Sequence, residues 1–458
     1  MLIYLSALEE NNVVKYNELL ENALREMDDV IRSSSDSTPP RIRISAITSK
    51  LRCMEELARI NPVNVSGEVL AELDHVGREL EELRSRTYDS YLFTYAYENL
   101  SLYCLRLLRS GGREQKQLLD KAEKNAFKAY AIAEEVSVYE MLGAALYNIA
   151  TTQMIRAILD RDVKLLTEAG RTAKRSAEVL DRIGDLRFLV AQSFGIEIEV
   201  TKYGYTGDYR DLDKAIASSR KAVSDYVAHK YPQMAGEESF RLATLNMLRG
   251  ADRKAEHALN EAAKLFRKSG KDNPRFRKES QDFSIMCIAT HKLVQAEIAF
   301  KAGKKSRATR LVEEAEKEMI KAKARWREVW LIRGFKELIA GNLQEARINL
   351  ARIIKESLDV LEDKNPTSTG YSAKKLVDYI NLEPAKRKAL PPTAIEMPLR
   401  SEAILAALRL EKLSKEISSS PTAGAYMEAR ELNIEDIRDI INRLTAKEEK
   451  KSNKEKTE

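Results

Sequence analysis

Apolar residues along this chain recur every three or four positions rather than every second one, the signature of helices with one buried face. In 66–86 the run SGEVLAELDHVGRELEELRSR places Leu70, Leu73, Val76, Leu80 and Leu83 on one stripe. An initial helix is expected to end at SSSDSTPP (33–40), and another over 43–60 to stop at Asn61-Pro62. From 111 to about 362, long periodic segments alternate with short breaks that hold Gly, Asn or Asp. The pattern predicts an all-α chain. Six aromatics crowd 88–103, and Tyr88, Tyr91 and Tyr95 share one helical face. Tyrosines so spaced either stack bases or fill a core. With no Lys or Arg interleaved, they read as core.

The breaks repeat. Gly250, Gly303 and Gly341 are each followed five residues later by an alanine, Ala255, Ala308 and Ala346. Four further on stand Leu259, Val312 and Leu350, and three beyond those Ala262, Ala315 and Ile353. Seven before each glycine is a small residue, Ala243, Ala296 or Gly334. Glycine within a helix costs about 1 kcal/mol relative to alanine, so Gly334 needs a packing reason. The spacing supplies one: antiparallel helices approach closely only where side chains are small, with Gly334 and Ala346 expected as reciprocal contacts. Gly341 supplies the left-handed residue that ends the first helix. One such pair cannot bury its stripe alone, so pairs stack on one another.

This grid resembles the tetratricopeptide repeat, an α-α superhelix (solenoid) of antiparallel helix pairs. WLIRGFKELIAGNLQEARINL (330–350) carries Trp330, Gly334, Gly341, Ala346 and Leu350 in the family's register. It departs at Arg333 and Glu337, and Leu358 stands where the family has proline. The turns at Gly207, Gly250, Gly303 and Gly341 are 43, 53 and 38 residues apart, longer than a standard repeat. At Gly207 the first alanine, Ala215, comes eight residues on, which predicts an extended turn or helix start.

The resemblance implies a concave groove lined by the first helix of each pair, at positions ten, six and three before the turn glycine. These are Phe240, Thr244 and Met247, then Leu293, Glu297 and Phe300, then Leu331, Phe335 and Leu338. The Lys, Asn and Arg that clamp a peptide carboxylate in some family members do not occur there. Phe240, Met247, Leu293, Phe300, Leu331 and Phe335 form an apolar set suited to a peptide or amphipathic helix from another protein. The competing reading is that they pack between repeats.

Residues 1–110 read as an acidic helical lead-in and 111–364 as the repeats. After them, 365–400 is a basic, proline-marked connector, and 401–445 holds two amphipathic helices expected to cap the array or fill its groove. The stretch 446–458 is a charged tail expected to be disordered. The first hundred residues hold 11 Lys and Arg against 18 Asp and Glu, and the rest 66 against 53. An acidic start thus precedes a basic body.

Basic residues cluster in RKSGKDNPRFRK (267–278) and KAGKKSRATR (301–310), which include Lys268, Lys271, Arg275 and Arg277, and Lys304, Lys305 and Arg307. On one shared edge of the solenoid they would suit nucleic acid, the alternative function. Charged residues at 32% and aromatics at 7%, with 18 Gly and 11 Pro, agree with an all-helical chain. Cys53, Cys104 and Cys287 fall at no metal-ligand spacing and suggest a reducing, cytoplasmic setting. The amino terminus does not read as a signal peptide, and no apolar run is long enough for a membrane span.

His75, His229, His257 and His291 are too scattered to form a metal site. SGGREQK (110–116) has no phosphate-loop Gly-Lys-Ser/Thr, and no nucleophile signature occurs. The expectation is a non-catalytic adaptor or scaffold without a cofactor.

Overall fold

A computed structural model describes residues 13–35, 37–60, 65–108, 115–274, 277–321 and 326–350. The connector, the two carboxy-terminal helices and the tail expected at 365–458 lie outside the described residues. Among the described residues these helices follow one another: α1 (Val13–Ser33), α2 (Pro40–Ile60), α3 (Gly67–Arg86), α4 (Ser90–Leu107), α5 (Gln115–Glu135), α6 (Tyr139–Asp160) and α7 (Val163–Arg182). Then come α8 (Arg187–Thr206), α9 (Tyr209–Ala228), α10 (Pro232–Leu248), α11 (Asp252–Asp272), α12 (Arg277–Lys301), α13 (Lys305–Ile320) and α14 (Trp326–Ala340). A further helical stretch occupies 343–350. From α4 onward each helix packs against its neighbours in sequence as antiparallel pairs, which makes the body a helical-repeat solenoid.

Apart from a small cluster of Leu20, Ala23 and Cys53 confined to α1 and α2, the apolar clusters cross pair boundaries. One apolar cluster runs from Leu189 to Leu350, a second from Ile44 to Ile155, and a smaller one joins Ala150 to Ile198. Burial is thus shared along the stack, as nearest-neighbour stabilisation requires.

The turn glycines have the expected conformation. Gly250, Gly303 and Gly341 lie at φ 76°, 74° and 90°, and Gly207 at 65°. Each second helix starts two residues after its glycine, and this includes α9 after Gly207. The turn at Gly207 is therefore not extended. Leu212, fully buried, takes the slot five after the glycine that alanine holds elsewhere. Arg161, at φ 56°, replaces glycine at the α6–α7 turn. There the Asp162 carboxylate accepts hydrogen bonds from the backbone N–H groups of Lys164 and Leu165 at 2.8 and 3.1 Å, which starts α7.

The reason for Gly334 differs from the expectation in one respect. A Cβ there would lie 2.7 Å from Leu350 Cγ and Cδ2, so the helix approach is made against Leu350 rather than Ala346. Gly143 repeats the device: its Cβ would stand 2.5 Å from Leu180. Ser176 Oγ donates to the Gly143 carbonyl at 2.7 Å and ties the same two helices together. Gly143→Ala is expected to lower stability by about 1–3 kcal/mol despite alanine's better helix propensity, because Leu180 must be displaced. A urea titration of the variant beside the parent checks this.

The aromatic segment also departs from its reading. Tyr88 is 99% and Tyr91 53% exposed, while Phe93, Tyr97 and Tyr103 are the buried ones. Tyr88 precedes α4 and Tyr91 is exposed on it, whereas Tyr95 packs against the apolar cluster of Ala133, Met141, Leu142 and Leu146. The cation missing from the local sequence comes from α2, whose Arg52 lies over the Tyr95 ring at 5.7 Å.

Candidate groove on the first helices

In the solenoid α6, α8, α10, α12 and α14 are the first helices of successive pairs. Side chains expected to line their groove are mostly inside. Phe240, Leu293, Leu331 and Phe335 are fully buried and Met247 is 5% exposed, while Phe300 is half-buried. They join neighbouring helices within the apolar cluster. The half-exposed line runs one to three residues away. It passes through Met234, Glu237 and Arg241 on α10, Ile285, Ile288, His291, Gln295 and Ile298 on α12, and Trp330, Arg333 and Lys336 on α14. One residue is a 100° rotation on a helix, so a small register error exchanges core for surface.

The basic clusters do not share an edge. Lys268, Lys271 and Arg277 are exposed at the α11–α12 turn, and Lys304, Lys305 and Arg307 at the α12–α13 turn. Those turns stand at opposite ends of the 25-residue α12, about 37 Å apart at 1.5 Å per residue. Arg275 lies outside the described residues.

A cavity of about 20 Å³ is lined by residues of α6, α8, α9 and α10. Its apolar wall is made by Tyr147, Val190, Phe194 and Met234, with the Tyr147 and Phe194 rings 5.1 Å apart and tilted by 53°. Its polar wall holds Ser193, Glu197, Tyr226, Glu237, Glu238 and Arg241. The polar side is tightly constructed. The Arg241 guanidinium sits 3.2 Å from Glu197 Oε1 and 3.1 Å from Glu238 Oε2, and donates to the Ser193 carbonyl at 3.2 Å. Glu238 also accepts from Ser219 Oγ at 2.7 Å and Ser193 Oγ at 3.2 Å. Tyr226 OH donates to the Leu189 carbonyl at 3.0 Å. Glu197 and Glu238 are 3% and 2% exposed, so these bonds offset the cost of burying charge.

Sequence reading missed this network. Its available signal was a carboxylate in a buried helical position, as in FGIEIEV (194–200) and GEESFRLA (236–243).

Glu98, half-buried on α4, was also missed. Desolvation raises its carboxyl to about 7, opposed by the nearby charges of Arg187 and Arg52 and reinforced by that of Glu140. The folded chain therefore holds this proton where the unfolded chain, at 4.5, has lost it. Glu98 then makes stability fall as pH rises from about 4.5 to about 7. Glu98→Gln is expected to flatten that slope and to raise the urea midpoint at pH 8, read from paired titrations at pH 5 and 8.

The thiols are poor nucleophiles, since burial pushes Cys53 to about 11 and Cys104 to about 12. Among the described residues no group of three or more His, Cys, Asp or Glu is placed to hold a metal. Among the described residues, too, no helix is long and apolar enough to cross a membrane.

No family model and no curated protein matches the chain at the sequence level. Solved structures are similar in fold. A Rap protein complexed with competence and sporulation factor is similar at 14% identity over 88% of this chain and 99% of its own, with a TM-score of 0.40. A signal transduction ATPase with a tetratricopeptide repeat sensor, from Pyrococcus horikoshii, is similar at 14% identity over 91% and 72%, with a TM-score of 0.32. A circular tandem repeat protein of novel repeat topology gives 15% identity over 91% and 96%, with a TM-score of 0.30. The chain has a helical-repeat fold of antiparallel helix pairs.

Proposed function

We propose that this chain is a non-catalytic protein-binding module that receives a peptide or amphipathic helix on the face formed by its first helices. The seat is the cavity lined by α6, α8, α9 and α10. One observation carries the reading: an apolar wall of Tyr147, Val190 and Met234 opposes a polar wall fixed by Arg241, Glu197 and Glu238. Ligand sites characteristically combine apolar area for affinity with a few fixed polar groups for orientation. The half-exposed Ile285 and Ile288, one helical turn apart, continue the face along α12.

Affinity capture from the native host, with the parent and Met234→Arg in parallel, tests the proposal. Met234 is half-buried at the seat and also packs against the Leu189–Leu350 cluster, so the urea midpoint of the variant is read beside the parent's to separate obstruction from lost stability. A partner retained by the parent and lost by the variant supports it. A partner retained equally by Met234→Arg, but lost by a Lys304→Glu/Lys305→Glu variant, would reject it in favour of the α12–α13 rim.

A further inference from the structure

Helices from α4 onward alternate in direction, so the α5–α6, α7–α8 and α9–α10 turns emerge on one edge of the stack and the turns within pairs on the other. The three turns adjoin. The Arg187 guanidinium, at the start of α8, meets Glu140 on α6 at 3.0 Å, and the Phe188 ring packs edge-on against His229 at 5.5 Å. Each turn displays two large apolar side chains: Val136 and Tyr139, Ile183 and Leu186, and Val227 and Tyr231, all 38–56% exposed. Arg187 in their midst is neutralised within the chain, by Glu140 and by Asp185 at 2.6 Å. Contiguous exposed apolar surface marks an interaction face, and tyrosine with little free charge is typical of an interface core.

Charge decides what fits this edge. The first hundred residues, with 11 Lys and Arg against 18 Asp and Glu, carry a net charge of −7. Residues 251–350 hold 23 Lys and Arg against 14 Asp and Glu, a net of +9. Both counts include every internally paired group, so the imbalance survives ion pairing within the chain. The stack thus runs from an acidic end, α1 to α4, to a basic end, α11 to α14, with the apolar turns between them. An anionic membrane would attract one end and repel the other, whereas a second copy laid antiparallel sets each acidic end beside a basic one. We infer that this edge is a two-fold interface between copies of the chain, with its axis at the α7–α8 turn. Ile183 and Leu186 then meet their own counterparts, and Val136 and Tyr139 meet the partner subunit's Val227 and Tyr231. Glu135 and Lys230, exposed at the two outer turns, are brought opposite each other by the same symmetry. None of these residues lines the cavity proposed as the seat.

Sedimentation velocity of the full chain tests it. A species of twice the 52.0 kDa monomer is expected at micromolar concentration, weakened at least threefold between low and high salt as the charged ends are screened. Ile183→Arg sets like charges against each other at the axis and is expected to weaken dimerisation at least tenfold. Ile183 is exposed, so the circular dichroism of that variant is expected to match the parent's. Ile183→Cys is expected to give a disulfide-linked dimer under mild oxidation, whereas Phe127→Cys, exposed midway along α5, is not. Should Ile183→Arg lose helical signal, the two cysteine variants decide alone. A monomer at every concentration overturns the interface, as does a dimer that Ile183→Arg leaves intact or that Ile183→Cys fails to link. A monomer that binds phosphatidylcholine–phosphatidylserine vesicles, and loses them with Ile183→Arg, would overturn it in favour of a membrane-facing edge.

Discussion

Arg241→Met is expected to destabilise the chain by about 3–5 kcal/mol, among the largest losses available to a single substitution here. The reason is electrostatic. Arg241 is the cation that Glu197 and Glu238 share, at 3.2 and 3.1 Å, and both carboxylates are almost wholly out of water. Methionine occupies a similar volume, so little of the loss comes from packing. The loss comes instead from desolvated negative charges deprived of their guanidinium. Adding Glu197→Gln to Arg241→Met is therefore expected to recover part of the loss, because one of the two charges is gone. A double-mutant cycle by urea denaturation reads the coupling directly. A loss below about 1 kcal/mol for Arg241→Met would mean that the network contributes little to the fold.

Phe240→Ala is expected to cost about 3–5 kcal/mol, the usual range for deleting a buried ring. Phe240 is fully buried in the cluster that runs from Leu189 to Leu350. Were it a groove residue, truncation would barely change stability and would act only on binding. The two assignments therefore differ in sign of evidence as well as size: a core ring shows up in the urea midpoint of the chain by itself. Because stability in a stack is local, hydrogen exchange should quicken first in α10 and in its neighbours α9 and α11. Phe335→Ala is expected to behave likewise, since Phe335 is also fully buried.

These two variants separate what the sequence made legible from what it did not. Helix class, antiparallel pairing and the turn glycines were readable because they depend on periodicity and on a backbone conformation that glycine adopts readily. Gly250, Gly303 and Gly341 have positive φ for that reason. The repeat register also predicted a close approach at Gly334, though the partner is Leu350, because the side chain of a neighbouring helix fills the space rather than its nearest small residue. Which face of each first helix meets solvent was not readable. Core and surface positions lie one to three residues apart, and the family's usual positions fell on the core side for Phe240, Leu293 and Leu331.

The same limit applies to Tyr88, Tyr91 and Tyr95. Their spacing suggested one face, but Tyr88 lies before α4, Tyr91 is exposed and Tyr95 packs against an apolar cluster, a division that only the packing of neighbouring helices decides. The buried network was hidden differently. Glu197, Ser219, Tyr226, Glu238 and Arg241 come from three helices, and their meeting depends on how pairs stack. A charged residue in a buried helical slot is the one local trace such a site leaves. The basic rims show the converse: clusters close in sequence, at 267–278 and 301–310, are held apart by the length of α12.

Site-specific photocrosslinking tests the central claim most directly. A benzoyl-phenylalanine placed at Met234, and in separate chains at Lys268 and Lys305, would be irradiated with the partner recovered by affinity capture. The account predicts a crosslinked product from position 234, with little or none from 268 or 305. Crosslinking from either rim position with none from 234 would contradict it.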